Sequence, residues 1–327
     1  MDLTPYFLRA VARAAVACKP WIGKGEKDAA DQAAVTAMRQ ALQDAPMDAR
    51  IVIGEGERDQ APMLHIGEEL GCGGPEVDVA VDPLEGTSLC AEDRPGALCV
   101  LSYAPRGSLL HAPDIYMDKM AVGPGLTLTP EALDLPLCEV IERLSQQRGG
   151  PLRVIMLDRP RHQALMDQVR SSGATLDLIG DGDVMASLQT ALAFEGQGPA
   201  YDLYLGIGGA PEGVLAASGL QHLRGQFLGR LSATTQAEQA RAERLGWTDL
   251  STIFTAEDLA APSSKLLIAG VTSHVLNGVG EQVDVLTLSA QGAVRSSLCA
   301  RTLTSLKVTH NGLSDLSEHD NTDGQGS

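Results

Sequence analysis

The chain is poor in positive charge. Lys and Arg number 25 against 42 Asp and Glu, a formal net charge of −17 over 327 residues. General nucleic-acid binding rests on cationic contacts to phosphates, so that class is excluded. Aromatic residues are also scarce, and 2 Trp, 5 Tyr and 4 Phe leave few platforms for stacked bases. Anions can be held only through local basic groups. No apolar run approaches the ~18 residues of a membrane span. No N-terminal charged-then-apolar pattern marks secretion, so the expected compartment is the cytosol. The six cysteines are Cys18, Cys72, Cys90, Cys99, Cys138 and Cys299. They form no C-x-x-C pair and no Cys/His zinc spacing. A chain this long needs no disulfide framework, and reduced core thiols are expected. Hydrophobic residues at 44% exclude general disorder. At roughly 150 residues per domain the length suits two domains or one large one. No internal repeat is present.

What is there reads as an α/β chain with mixed sheets. Helical spacing of apolar residues covers 3–18 and about 29–42. Arg50–Gly54 reads as a short buried strand stopped by Gly54-Glu55-Gly56-Glu57. Pro62 suits the first turn of a helix running through Leu70. Val77–Asp82 alternates as a strand that Pro83 ends. Residues 97–103 and 108–111 suggest a hairpin about Pro105-Arg106-Gly107. The second half alternates more regularly. Helices are expected at about 137–147 and 161–171, after Asp183 as N-cap, and from Pro211. Strands are expected at 152–157, 175–179, 201–206, 265–272, 283–289 and 294–303. Residues 311–327 read as a disordered tail.

Several acids lie at strand ends, Gly-rich turns or helix starts: Asp31, Glu55, Asp82, Glu85 and Glu212, with Glu57 as a further member. Hard divalent cations take carboxylate oxygens, and metal-assisted phosphate chemistry often uses paired ions. Any one such acid taken alone is more often merely solvated. Asp82-Pro83-Leu84-Glu85-Gly86-Thr87 is more specific. A strand delivers Asp82, and Leu84 turns inward while Glu85 turns toward the opening that Asp82 faces. Gly86 lets backbone approach a ligand, and Thr87 offers N–H and hydroxyl donors at a helix start. The bland alternative is an ordinary strand–turn–helix junction.

This stretch resembles the signature of metal-dependent, lithium-sensitive sugar phosphatases. Further segments, in the same order, resemble class II fructose-1,6-bisphosphatases. They are Gly54-Glu55-Gly56-Glu57, Ala61-Pro62-Met63-Leu64, Ile66-Gly67-Glu68, Ala112–Met117, Pro160-Arg161-His162, Asp181-Gly182-Asp183-Val184 and Gly206–Gly213. The likeness runs from about residue 10 to about 305. It implies a layered α/β/α/β/α fold in homo-oligomers, dimeric or tetrameric. It also implies a lobe at 1–140 for metal and phosphate and a lobe at 141–310 for sugar. The implied reaction is hydrolysis of the 1-phosphate of fructose 1,6-bisphosphate, with sedoheptulose 1,7-bisphosphate as a second substrate. Mn²⁺ or Mg²⁺ is the implied cofactor. Asp31 and Glu55 match ligands of one ion and Asp82 and Glu212 those of a second, with Glu85 also facing a metal. Asp82, Glu85, Thr87 and Lys27 match the catalytic set. Glu85, Gly86 and Thr87 match a phosphate contact, and Tyr116 a substrate contact. Arg159, Pro160 and Arg161 match a phosphate and sugar segment. Asp181, Gly182 and Asp183 match a sugar-hydroxyl loop, and Gly209 a backbone approach to substrate.

Read without the family, Arg159 and Arg161 offer forked donors suited to phosphate, or plain surface charge at a helix start. Asp181 and Asp183 offer acceptors for hydroxyls, or a turn and cap. His162 is more simply a packing residue and is assigned no role. The chain departs from the pattern at Ser88, at Arg94-Pro95-Gly96 and at Gly23-Lys24-Gly25, all outside the metal ligands. These departures keep open a related monophosphatase acting on an inositol or other sugar phosphate. Gly206-Ile207-Gly208-Gly209 after a strand hints at a dinucleotide site, but Pro211 breaks that fingerprint. A non-catalytic binding protein is the remaining alternative, against which the intact ligand set argues.

Overall fold

The computed structural model describes residues 1–55, 63–193, 198–303 and 309–312. Two mixed sheets carry the fold. The first joins β1 (Asp48–Ile53), β2 (Glu69–Leu70), β3 (Glu76–Glu85) and β4 (Leu98–Pro105) to four strands from far along the chain. The second begins with β5 (Tyr116–Val122), β6 (Arg153–Leu157) and β7 (Thr175–Ile179), and continues with β8 (Leu203–Gly209), β9 (Gln226–Ser232) and β10 (Ile253–Thr255). Strands β11 (Lys265–Gly270), β12 (Gln282–Ser289), β13 (Gly292–Cys299) and β14 (Thr309–Gly312) return to the first sheet. The orders are β14-β13-β12-β11-β4-β3-β1-β2 and β10-β9-β5-β8-β6-β7. Sheet membership thus crosses residue 140 in both directions.

Helices fill three layers. Helices α1 (Thr4–Cys18) and α2 (Lys27–Gln43) cover one face of the first sheet. Phe7 on α1 stacks on Tyr103 of β4, with ring centroids 4.0 Å apart. The short α3 (Thr87–Ala91) follows β3, while α4 (Leu137–Arg148) and α5 (Gln163–Ser171) cover the outer face of the second sheet. Between the sheets lie α6 (Asp183–Leu188), α7 (Ala210–Leu220) and α9 (Ala256–Leu259), with α8 (Gln236–Arg244) beside them. The expected α/β/α/β/α layering is therefore borne out. Helix α7 is buried on nearly every side, as a helix between two sheets must be.

Several local expectations are corrected. The helix through Leu70 does not form in its described part; Pro62 itself lies outside the described residues. Leu64 has φ 53° and Gly67 φ 87°, which no helix admits. The segment instead folds around Glu68, whose carboxylate accepts from the Leu64 N–H and pairs with Arg39 at 2.6 Å. The hairpin at 97–111 is absent because β4 is flanked by β3 and β11, leaving no free edge. Ser108–His111 runs past the end of α9 instead, with Leu110 N–H donating to Leu259 O at 2.9 Å. Pro83 does not end its strand: β3 continues to Glu85 through a register shift. Asn311 and Gly312, expected in the tail, pair in β14, and the rest of that tail lies outside the described residues. Cys72, Cys138 and Cys299 are exposed rather than in the core.

Candidate active site

The site forms where the strand ends of both sheets meet the middle layer. On β3, Val77, Val79 and Val81 face α1 and α2, while Ala80 faces the middle layer. Period-2 alternation sends Asp82 to the middle layer as well. Glu85 lies three positions on and would point the opposite way in a regular strand. The register shift prevents this: Asp82 pairs with Val100 and Glu85 with Leu98, so one extra residue is accommodated. Leu84 then packs under α1 and α2. Glu85 turns to the middle layer, where its Oε1 accepts from the Val184 N–H at 2.9 Å. A proline is tolerated at such a bulge.

The five carboxylates converge. Burial first, and then the charges of Glu85, Glu212, Glu55 and Asp31, hold the Asp82 carboxyl well above the usual range. Burial and then Asp183 do the same for Glu85, against the pull of the Val184 N–H. Glu212 is raised by burial and Asp183, with Lys119 opposing. Each acid comes from a different local device. Asp31 sits in the second turn of α2. Glu55 leaves β1 after Gly54, where a Cβ would lie 2.0 Å from Leu64 O. Glu212 lies in the first turn of α7, after Pro211. Its carboxylate fills the space a Gly209 side chain would take, with Oε2 2.0 Å from that ideal Cβ. Glu57 lies outside the described residues.

A buried polar cluster missed by the sequence reading stands beside these acids. Lys119 Nζ donates to Asp183 Oδ2 at 2.7 Å, and the Tyr204 hydroxyl donates to the same oxygen at 3.3 Å. Lys119 is 1% exposed. Asp183 is the first residue of α6 and does not cap it; Gly182 holds the N-cap position with φ 93°. The signal for Lys119 was a lysine inside an apolar strand, on the face that Met117 and Ala121 share.

The remaining predicted residues lie around this centre. Gly86 has φ 81° and opens α3, with Thr87 and Ser88 in its first turn. Gly209 pairs across strands with Tyr116. The Arg161 guanidinium lies 4.7 Å from the centre of the Tyr116 ring and donates to Ile207 O at 2.6 and 2.9 Å. Arg159 faces Asp181 at 3.9 Å, and Pro160 starts the turn between them. Lys27 is a charge neighbour of Asp181. His162 is buried, with both ring nitrogens on the backbone: Nδ1 lies 2.8 Å from Leu157 O, and Nε2 accepts from the Ile207 N–H at 2.8 Å. Burial lowers its pKa. It serves packing.

The donor set fits hard divalent cations. Glu85 Oε2 is buried and has no hydrogen-bond partner. The carboxylates of Asp183, Asp181 and Glu212 act on it, and such oxygens suit hard cations. Among the described residues, no group of three acids, histidines or cysteines already stands in a metal-holding arrangement.

Over residues 1–306 the chain matches the family described as bacterial fructose-1,6-bisphosphatase, glpX-encoded. It belongs to that family. Relatives named D-fructose 1,6-bisphosphatase class 2/sedoheptulose 1,7-bisphosphatase cover most of it. That of Prochlorococcus marinus (strain NATL1A) is 40% identical over 307 residues, 88% of this chain and 90% of the relative. That of Thermosynechococcus vestitus is 38% identical, covering 87% and 91%. That of Parasynechococcus marenigrum (strain WH8102) is 42% identical, covering 77% and 79%. The class II fructose-1,6-bisphosphatase resemblance is thereby borne out, and with it an enzyme of a metal-dependent phosphatase family. The paired strand ends of a fructose-1,6-bisphosphatase also account for Gly206–Gly209. They form a strand whose missing side chains admit Asp183 and Glu212, not a dinucleotide turn. No helix among the described residues is long and apolar enough to cross a membrane.

Proposed function

We propose that the chain hydrolyses the 1-phosphate of fructose 1,6-bisphosphate, and acts on sedoheptulose 1,7-bisphosphate at the same site. The observation that carries the reading is the convergence of Asp31, Glu55, Asp82, Glu85 and Glu212, with a buried, unpartnered Glu85 oxygen. Asp31 and Glu55 would hold one Mn²⁺ or Mg²⁺, and Asp82 and Glu212 the other, with Glu85 as a further ligand. When bound, the ions lower the pKa of a water and offset charge on the phosphoryl group. The chain's own residues do the rest. Gly86 brings backbone to the 1-phosphate, and Thr87 donates to it. Lys27 offers positive charge at the mouth of the site. Arg159 and Arg161 supply forked donors to the distal phosphate, and Tyr116, held flat under Arg161, walls the sugar. Asp181 and Asp183 flank the sugar hydroxyls, and Gly209 lets the substrate approach β8. We place the enzyme in the cytoplasm as a homo-oligomer, a dimer or tetramer, built of two lobes acting as one catalytic unit.

The test is phosphate release from both bisphosphates and from inositol monophosphate, with Mn²⁺, Mg²⁺ or chelator. Release from the bisphosphates alone, dependent on metal, is expected. Asp82→Ala and Glu212→Ala should each lower kcat/KM by about 100-fold or more, as loss of a group that stabilises transition-state charge does. Unchanged turnover in both variants would overturn the metal assignment. Release only from the monophosphate would overturn the substrate.

A further inference from the structure

A cavity of about 190 Å³ is lined in part by the Asp181–Gly182 turn. Leu89, Leu98, Leu178, Met185 and Val275 form its apolar wall, and Arg94, His274 and Gln189 its polar rim. The backbone of Arg94 is anchored on both sides. Its N–H donates to Leu89 O at 2.8 Å, and its carbonyl accepts from Thr272 Oγ1 at 2.7 Å. The guanidinium is 55% exposed and makes a loose 3.4 Å pair with Glu92. It reaches over Gly180, where an added Cβ would lie 3.4 Å from Nη2. Leu178 is 36% exposed and, with Met1, is one of two large hydrophobic side chains so exposed among the described residues. Asp181 also lines the cavity, but its carboxylate accepts from the Gly182 N–H at 3.2 Å and faces Arg159 at 3.9 Å. A cation on an anchored backbone, an uncovered apolar wall and the Gln189 amide therefore meet in one small space.

We propose that this cavity binds a small hydroxylated anion. Arg94 takes its carboxylate or phosphate, Gln189 takes its hydroxyls, and the Leu98–Met185–Val275 wall takes its carbon skeleton. A cavity of ~150 Å³ holds a benzene ring, so the ligand has roughly three to six carbons. Arg94 belongs to the segment in which the chain departs from its family pattern, and the active site described above does not use it. Asp181 and Gly182 line this cavity, and Asp181 is also a charge neighbour of Glu85, so the turn touches both the cavity and the carboxylate centre. A ligand that favours one position of the turn changes affinity for the sugar by its own differential affinity. This coupling, though not the binding itself, rests on the sugar-bisphosphatase reading.

The test uses the full chain with chelator present and two probes, glycerate and glycerol 3-phosphate, titrated by calorimetry. Wild type should bind, and the tighter probe tells whether carboxylate or phosphate is preferred. Arg94→Ala should weaken that binding about tenfold or more, the equivalent of ~1.4 kcal/mol. Leu178→Trp, at an exposed position, should block it without disturbing the core. Arg161→Ala should leave it unchanged. Absence of binding to wild type would overturn the proposal, and so would binding lost in Arg161→Ala but kept in Arg94→Ala. With metal and fructose 1,6-bisphosphate, the tighter probe should shift KM in wild type and not in Arg94→Ala, with kcat unmoved. Binding through Arg94 in a chain that released no phosphate would sink the bisphosphatase reading and leave the cavity standing.

Discussion

Lys119 and Glu85 are both buried and meet opposite conditions: Lys119 has a carboxylate partner in Asp183, and Glu85 has acids for neighbours. Lys119 is the buried counter-charge within a group of acids. Its loss would strand Asp183 without a cation, and breaking such a pair from one side costs about 3–5 kcal/mol. Lys119→Met should therefore lower the denaturant midpoint by that equivalent, and Lys119→Arg should restore part of it. A midpoint unchanged in Lys119→Met would show that Asp183 finds another partner. Glu85 is the converse case. Its folded-state pKa is raised, so it favours folding below its ordinary value of 4.5 and opposes folding as pH rises through the folded value. Glu85→Gln should thus stabilise the metal-free protein, by a margin that grows as pH rises above about 4.5. Melting curves of both proteins in chelator check this, and a margin flat from acid to neutral pH would refute it. The same variant should lose much of the stabilisation that Mn²⁺ confers on wild type. The buried thiols play no such part: burial pushes Cys90 up to about 12, leaving it inert at neutral pH.

At the scale of elements, two devices aim the acids. One is the bulge in β3, which turns Glu85 onto the face that Asp82 already occupies. The other is the glycine pair at the end of β8. A Cβ at Gly208 would stand 2.1 Å from Asp183 Oδ2, and one at Gly209 would stand 2.0 Å from Glu212 Oε2. The two differ in what can yield. Glu212 ends a flexible side chain, whereas Asp183 is pinned by Lys119 and Tyr204. Gly209→Ala should cost little stability, yet displace the Glu212 carboxylate and weaken Mn²⁺ binding about tenfold or more, the equivalent of ~1.4 kcal/mol. Calorimetric Mn²⁺ titration beside a thermal melt separates the two effects. Wild-type Mn²⁺ affinity in Gly209→Ala would mean that Glu212 holds no ion.

For the whole molecule, stability and chemistry are divided within the outer layer: α2 carries Lys27 and Asp31, while α1 serves packing. The outer layer of α1 and α2 is sealed by Phe7, which is fully buried against Tyr103. Phe7→Ala should cost about 3–5 kcal/mol of global stability. Phosphate release per folded molecule should stay near wild type, because α1 supplies none of the candidate site residues. Denaturant unfolding and turnover corrected for folded fraction test this together. A kcat that falls with the stability would show that α1 also sets the site.

Much of this was legible in one dimension. Asp82-Pro83-Leu84-Glu85-Gly86-Thr87 displays its strand, turn and helix start by residue type alone. The helical spacing in α1 and α2, the Pro211 opening of α7 and the alternation of β3 are likewise local patterns. Local chemistry decides them, since caps, glycines and apolar periods act within a few residues. Other features depended on residues far apart. The helix expected through Leu70 gave way to Glu68 reaching back to Leu64 and across to Arg39. The expected hairpin gave way because β11, more than 150 residues on, takes the edge of β4. Lys119 is unreadable as a buried cation until Asp183 and Tyr204 arrive from other elements. The cavity beside Arg94 exists only where three loops meet. In one dimension the family, the mixed α/β layering and the candidate acids were readable, because each is written in local residue pattern. Tertiary structure alone decided which face Glu85 takes, what neutralises Asp183 and where Arg94 reaches, because each depends on contacts between segments that no spacing along the chain records.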